Sequence, residues 1–179
     1  VSFGGFLALT AWFPTYWRIF HHLPVYAAGL VGGAGFALLA SVVRIYGGRI
    51  SDKVGGEKIA LYSFMIVFVG AVVLVFAFSF WWALIGELLI AIGMGVANAA
   101  VFKLVAKYVP HAIGGAAGWV GGLGAFGGFV VPPILGVCVD HLGEIGYARG
   151  FIVYVALALI GMLVSFSLVR LYGQKQPMA

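Results

Sequence analysis

The amino-acid sequence predicts an all-α integral membrane fold, and three observations carry that prediction. Hydrophobic residues make up 64% and charged residues only 8% of the 179 positions, whereas about a quarter of the residues in a soluble domain are charged. So few charges cannot furnish a wetted surface, and the mean hydropathy of +1.15 agrees. The apolar residues also gather into six runs, near 1–20, 26–48, 59–78, 81–106, 113–139 and 147–172, each comparable to the roughly 20 residues that carry a helix across a bilayer core. Finally, the runs are too long and too poor in polar alternation to be strands of a membrane barrel.

Each run has its own ending. The first carries "SFGGF" near its start and closes on Arg18 before "HHLPVY"; the second closes on "RIYGGRISDKVGGEK", where charges return. The third gives way to a bare "SF" before Trp81, and the fourth ends at Lys103 and Lys107 before "KYVPHA". The fifth is glycine-rich and stops at "DHLGEIG", and the sixth runs out at Arg170 and Tyr172. Short connections make consecutive helices antiparallel neighbours. One side of the membrane then collects Arg49, Lys53, Lys58, Lys103, Lys107, Arg170 and Lys175, against Arg18 and Arg149 on the other. Lys and Arg concentrate in cytoplasmic loops, so both termini are expected to be cytoplasmic. The first run opens at Val1 without an initiator Met or the basic flank of a signal peptide, so the sequence is expected to be part of a longer chain.

Several function classes are set aside by composition. The net charge is +5, but the basic residues sit singly or in pairs at the ends of apolar runs, not in the stripe with interleaved aromatics of a nucleic-acid binder. The single cysteine, Cys138, allows no internal disulfide. The four histidines lie in or beside loops, and none shares metal-ligand spacing with Cys or carboxylates. No catalytic constellation, metal site or cofactor site is expected, and the protein is not read as an enzyme.

The stretch "GWVGGLGAFGGFVVPP" contains Gly122-Leu-Gly124-Ala-Phe-Gly127, which spells the dinucleotide-binding G-x-G-x-x-G. That motif requires a preceding strand and a helix opening on the phosphates; here it lies inside an uncharged run, so a nucleotide is not expected. Small residues three and four apart let helix backbones approach closely. Gly114, Gly118 and Gly122 form one such row, and Gly124 with Gly128 continues it. Either this is a packing face, or it is a bare backbone lining a substrate path, with Pro132 and Pro133 bending its far end.

Arg44 is the most informative charge. It lies five residues before Arg49, about 7 Å deeper along a helix at 1.5 Å per residue. Either it snorkels to the headgroups, or it faces the bundle interior and holds an anion, for which the fixed guanidinium fork suits planar oxyanions better than an ammonium. Glu87, the one acid inside a run, follows Trp81 and Trp82 and is either a solvated helix-end residue or functional. Lys103 and Lys107 are expected to be interfacial anchors. Phe3 is read as core, and Asn98, deep in the fourth run, as an interhelical hydrogen-bonding group or a pathway residue.

"GGRISDKVGGEK" resembles the G-x-x-x-D-[RK]-x-G-G loop of the major facilitator superfamily, carried here by Gly48, Asp52, Lys53, Gly55 and Gly56, with Glu57 where a basic residue is usual. The resemblance implies a conformational loop in which Asp52 accepts from the start of the fifth helix, near Ile113. "SFGGFLALTAWFPTYW", "VVRIYGGRISDKVGG", "NAAVFKLVAKYVP" and "AGWVGGLGAFGGFVVPP" together are similar to the seventh, eighth, tenth and eleventh helices of the nitrate/nitrite porter family. The fold implied is the C-terminal six-helix half-bundle of a major facilitator superfamily transporter, residues 1–179, whose partners are nitrate or nitrite, the lipid bilayer and an N-terminal half outside this sequence. By the same resemblance Arg44 grips the anion, Phe3 packs on its plane, and Gly118 and Gly121 lie beside it on the glycine-rich helix of Gly122, Gly124, Gly127 and Gly128. Some relatives carry a hydroxyl at Gly121, so nitrate and nitrite are not distinguished. The implied activity is secondary transport across the inner membrane by alternating access; the alternatives are a carrier for another small anion or a non-transporting assembly subunit.

Overall fold

The structure is a computed structural model that describes residues 1–172; Lys175, counted above for orientation, lies outside the described residues. The expected all-α architecture is present, with no strand among the described residues. Six long helices run as α1 (Ser2–Ile19), α2 (Val25–Val54), α3 (Gly56–Val75), α4 (Phe80–Tyr108), α5 (Ile113–Leu142) and α6 (Ile152–Tyr172). One-turn helical segments, Pro110–Ala112, Gly143–Ile145 and Gly146–Arg149, occupy the connections around α5. The helices α2 to α6 are each long and apolar enough to cross a membrane. The 18-residue α1 is not among them: Thr10, Pro14, Thr15, Arg18 and the Trp and Tyr rings of its second half dilute its aliphatic content.

The second helix differs from its expected limits. It continues past residue 48 through Arg49, Ser51 and Asp52 to Val54, so the "RISDKVGGEK" connection shrinks to Gly55. Hydropathy marks where the apolar core of a bilayer ends, whereas a helix ends where its backbone is capped, and these polar residues are compatible with helix in water. The reversal is possible because Gly55 adopts φ 101°, ψ 136°, a conformation open to glycine and closed to residues with a Cβ. Near its start α2 also contains a π-helical segment, Gly29–Gly35, of the kind that inserts width into an α-helix and often marks a functional or hinge position.

In space α6 packs on α3, α3 on α4, α4 on α2, the π segment of α2 on α1, and α1 on α5. The core is aromatic around α1. Phe13, Tyr16 and Trp17 are fully buried, and Phe13 lies 5.0 Å from Phe36 of α2 and 5.6 Å from Phe151 between ring centroids. Small residues set the helix separations, as in membrane bundles generally. A Cβ on Gly4 of α1 would run into the carbonyl of Gly124 and come within 2.9 Å of the Gly127 Cα on α5.

Candidate functional site

Arg44 stands on α2 with its guanidinium 5.3 Å from the centre of the Phe102 ring of α4, within cation–π range. It lines a cavity of about 30 Å³ together with Phe3 and Phe6 of α1, Ala40 and Ser41 of α2, and Asn98 of α4. Three helices therefore converge on one small recess lined by two aromatic rings, a serine, an asparagine and an alanine, with one cation on its rim. Arg44 itself is exposed, so the recess is the floor of an open face. Gly95 explains how α2 and α4 come close enough to form it, since a Cβ there would collide with the Ala40 carbonyl. Ser41 turns its hydroxyl onto the Ala37 carbonyl at 2.7 Å. The Asn98 side chain is 95% buried, and its Oδ1 finds no hydrogen-bond partner among the described residues. A buried amide without a partner costs free energy unless something supplies the missing bond, and this amide borders the Arg44 recess.

The structure unites Arg44, Phe3 and Asn98 and leaves Gly118 and Gly121 apart. Neither glycine lines the recess; a Cβ on either meets nothing within 4 Å. The glycine-rich helix divides instead. Gly124, Gly127 and Gly128 form the packing half, where a Cβ on Gly124 would sit 2.9 Å from Phe3 Cδ1 and one on Gly128 2.8 Å from Leu7 Cβ. Gly114, Gly118, Gly121 and Gly122 form the open half, facing away from the other helices. Spacing showed the small row; it could not show that contacts begin only at Gly124, two residues beyond the open Gly122. A second cavity, of about 550 Å³, opens where α5 stands off from α4 and α6. Its lining includes Val1, Phe64, Leu104, Tyr108, Val120 and Ile160.

At the Gly55 end, the conformational loop is held differently from expectation. Asp52 does not reach the start of α5. Its Oδ1 accepts from Lys103 Nζ of α4 at 2.5 Å, and the same ammonium donates to the Ser51 carbonyl at 2.7 Å. Glu57, nearly buried at the first turn of α3, accepts from Lys107 Nζ and Tyr108 Oη at 2.5 Å each. Lys103 and Lys107 are thus paired clamps rather than lipid-facing anchors. They lie one helical turn apart on α4 and meet acids five residues apart across the α2–α3 turn, which fixes two neighbours of α4 at once. Lys53 is exposed and Gly48 half-buried with open space where a Cβ would stand, whereas Gly56 is buried so tightly that a Cβ would lie 2.8 Å from Leu104 Cδ2. The carboxylate of Glu57, out of place in the family pattern, finds its base on α4.

The Glu87 expectation also changes. It is 2% exposed, not solvated, and accepts a hydrogen bond from Trp17 Nε1 of α1.

The Arg44 helix and the G-x-x-x-D-K-x-G-G turn clamped to α4 lie within a chain that matches one family along nearly its whole length. Residues 1–177 match the Major Facilitator Superfamily. The chain belongs to that superfamily. Among curated proteins, this superfamily member is 31% identical to the probable nitrate/nitrite antiporter NarK1 of Thermus thermophilus, over 98% of this chain and 43% of the relative. It is 32% identical to the nitrite extrusion protein of Bacillus subtilis, over 89% of this chain and 40% of the relative. The probable nitrate transporter NarT of Staphylococcus aureus shares 30% identity over 83% of this chain and 36% of its own length. The chain thus spans about two fifths of the length of the curated relatives it matches. It is a multi-pass membrane protein with the all-α half-bundle of the superfamily.

Proposed function

We propose that the chain is the C-terminal six-helix half of a carrier that moves nitrate and/or nitrite across the inner membrane by alternating access, both termini cytoplasmic. The observation that carries the reading is the convergence of Arg44, Phe3 and Asn98 on one recess. Nitrate and nitrite are planar, and a guanidinium fork can donate two parallel hydrogen bonds to such an anion. Phe3 and Phe6 offer apolar faces to its plane, and the unpartnered Asn98 amide supplies a third polar contact. The recess is too small to enclose the anion alone, so the N-terminal half of the full-length carrier closes over it. The names of the relatives favour the same substrates. In this account Gly118 and Gly121 lie on the open stretch of α5 that faces the moving partner, not in the first contact layer of the anion.

The chemistry at this site is binding and release. Two arrangements alternate around the bound anion, and the Asp52–Lys103 and Glu57–Lys107 pairs hold the cytoplasmic end of α2, α3 and α4 as one body while the halves rock. Counterflow of isotopically labelled nitrate in proteoliposomes of the full-length protein tests the reading. Exchange that unlabelled nitrate and nitrite compete away supports it. Exchange of a different small anion without nitrate favours the runner-up, and the absence of any anion exchange leaves an assembly subunit.

A further inference from the structure

Arg44 brings the positive charge to the recess, and among the described residues no hydrogen bond or ion pair holds its guanidinium. The five acids of the sequence are engaged or placed elsewhere. Asp52 takes Lys103, Glu57 takes Lys107 and Tyr108, and Glu87 takes the Trp17 indole. Asp140 and Glu144 stand at the close of α5 and in the connection beyond it. An exposed arginine without a partner samples many rotamers, and ordering it when a ligand arrives is a cost taken from affinity.

One contact does reach it. Phe102, half-buried on α4, sets its ring under the guanidinium at 5.3 Å. A ring differs from a carboxylate in the respect that matters to an anion site. A carboxylate would accept from the guanidinium fork and offset its charge. An aromatic face attracts the cation through its quadrupole and, having no acceptor oxygen, leaves the five N–H donors free.

The ring is itself well placed. Phe102 follows Asn98 by four residues, so the two stand on one face of α4 a turn apart, and the ring carries the guanidinium beside the amide that borders the recess. Two contacts between α2 and α4 bracket it. Before it, a Cβ on Gly47 would come 2.8 Å from Val96 Cα. After it, Lys103 Nζ donates to the Ser51 carbonyl at 2.7 Å and to Asp52 Oδ1. Turning or sliding α4 on α2 would break one of these, so together they set the ring against Arg44.

We propose that Phe102 is a positioning residue of the anion site: its ring holds the Arg44 guanidinium over the recess by a cation–π contact and leaves every N–H donor to the planar oxyanion. This rests on the nitrate/nitrite reading above and adds the group that orients its cation.

The test measures labelled-nitrate counterflow by the full-length protein in proteoliposomes. Phe102→Leu, which keeps an apolar side chain but has no ring face, is expected to raise half-saturation for nitrate roughly 3- to 30-fold, and Phe102→Tyr to stay near wild type. Phenylalanines carrying one, two and three ring fluorines at position 102 hold the shape of the ring while draining its negative face, so half-saturation is expected to climb stepwise with fluorine number. A ring that only fills space would give a flat series. Unchanged half-saturation in Phe102→Leu, or a flat fluorine series, overturns the positioning role, and Arg44→Lys then reports separately on the anion site. Absence of wild-type nitrate counterflow removes the nitrate reading and this inference with it. Should Phe102→Leu fail to reach the membrane, the fluorinated proteins decide the matter.

Discussion

Lys107→Met is the most direct probe of how the Gly55 end is held. Glu57 keeps only 4% of its side chain exposed, and Lys107 Nζ approaches it at 2.5 Å. A hydrogen bond to a charged group contributes about 1.5–3 kcal/mol, and breaking a buried ion pair from one side costs about 3–5 kcal/mol because the other charge is stranded. Two features lower the figure. Tyr108 still donates to Glu57, and a third of the Lys107 side chain already faces solvent, where water screens the pair. The expected loss is therefore about 2–3 kcal/mol, on the order of 5–10 °C in melting temperature for a body of this size. Thermal unfolding in detergent at a fixed scan rate measures it, and Glu57→Gln in the same molecule supplies the second arm. The double variant is expected to recover most of the loss, because a neutral amide no longer needs the ammonium. Melting of Lys107→Met within a degree of wild type, or a double variant whose loss is the sum of the two singles, would refute the clamp.

Three further outcomes follow from the same packing. Gly124→Ala is expected to displace Phe3, 2.9 Å from the new Cβ, lowering both melting temperature and nitrate uptake, whereas Gly118→Ala, which meets nothing within 4 Å, leaves stability within about 0.5 kcal/mol; paired melting and uptake assays separate them. Asn98→Leu removes an amide whose Oδ1 has no partner, so stability holds or rises while half-saturation for nitrate increases roughly tenfold, the equivalent of about 1.4 kcal/mol; an unchanged half-saturation places the amide outside the anion site. Burial, then the neighbouring His22, pull His21 below the ordinary histidine range. The folded state then binds its proton less readily than the unfolded chain, so its contribution is present above the unfolded value near 6.5 and is lost as pH falls through it. Melting curves between pH 8 and 5 check this, with His21→Gln expected to flatten the acid limb.

The fold was legible because hydropathy and loop charge are one-dimensional signals: a run of apolar residues is a helix in a bilayer wherever it packs. Its limits were less legible, as α2 shows, since Ser51 and Asp52 end the apolar run without ending the helix. At the site, Arg44 and Asn98 could be picked out because each is polar within an apolar run, whereas Phe3 read as core and entered only through the family resemblance. Ser41 and Phe6 could not, because an ordinary serine or phenylalanine gains meaning only from its neighbours in space; position 41, one turn before Arg44, was the available signal. The pairing of Asp52 with Lys103 and of Glu57 with Lys107 depends on α4 crossing the α2–α3 turn. The hydrogen bond from Trp17 to Glu87 joins residues 70 positions apart. No spacing within one helix encodes either contact.

The central claim is that one guanidinium on α2 grips the transported anion, and labelled-nitrate counterflow by Arg44→Lys tests it most directly. An ammonium keeps the charge but loses the paired donors, so losing one charge-assisted bond of about 1.5–3 kcal/mol is expected to weaken apparent affinity on the order of 10- to 150-fold, with melting temperature unchanged. Wild-type nitrate counterflow by Arg44→Lys would contradict the account.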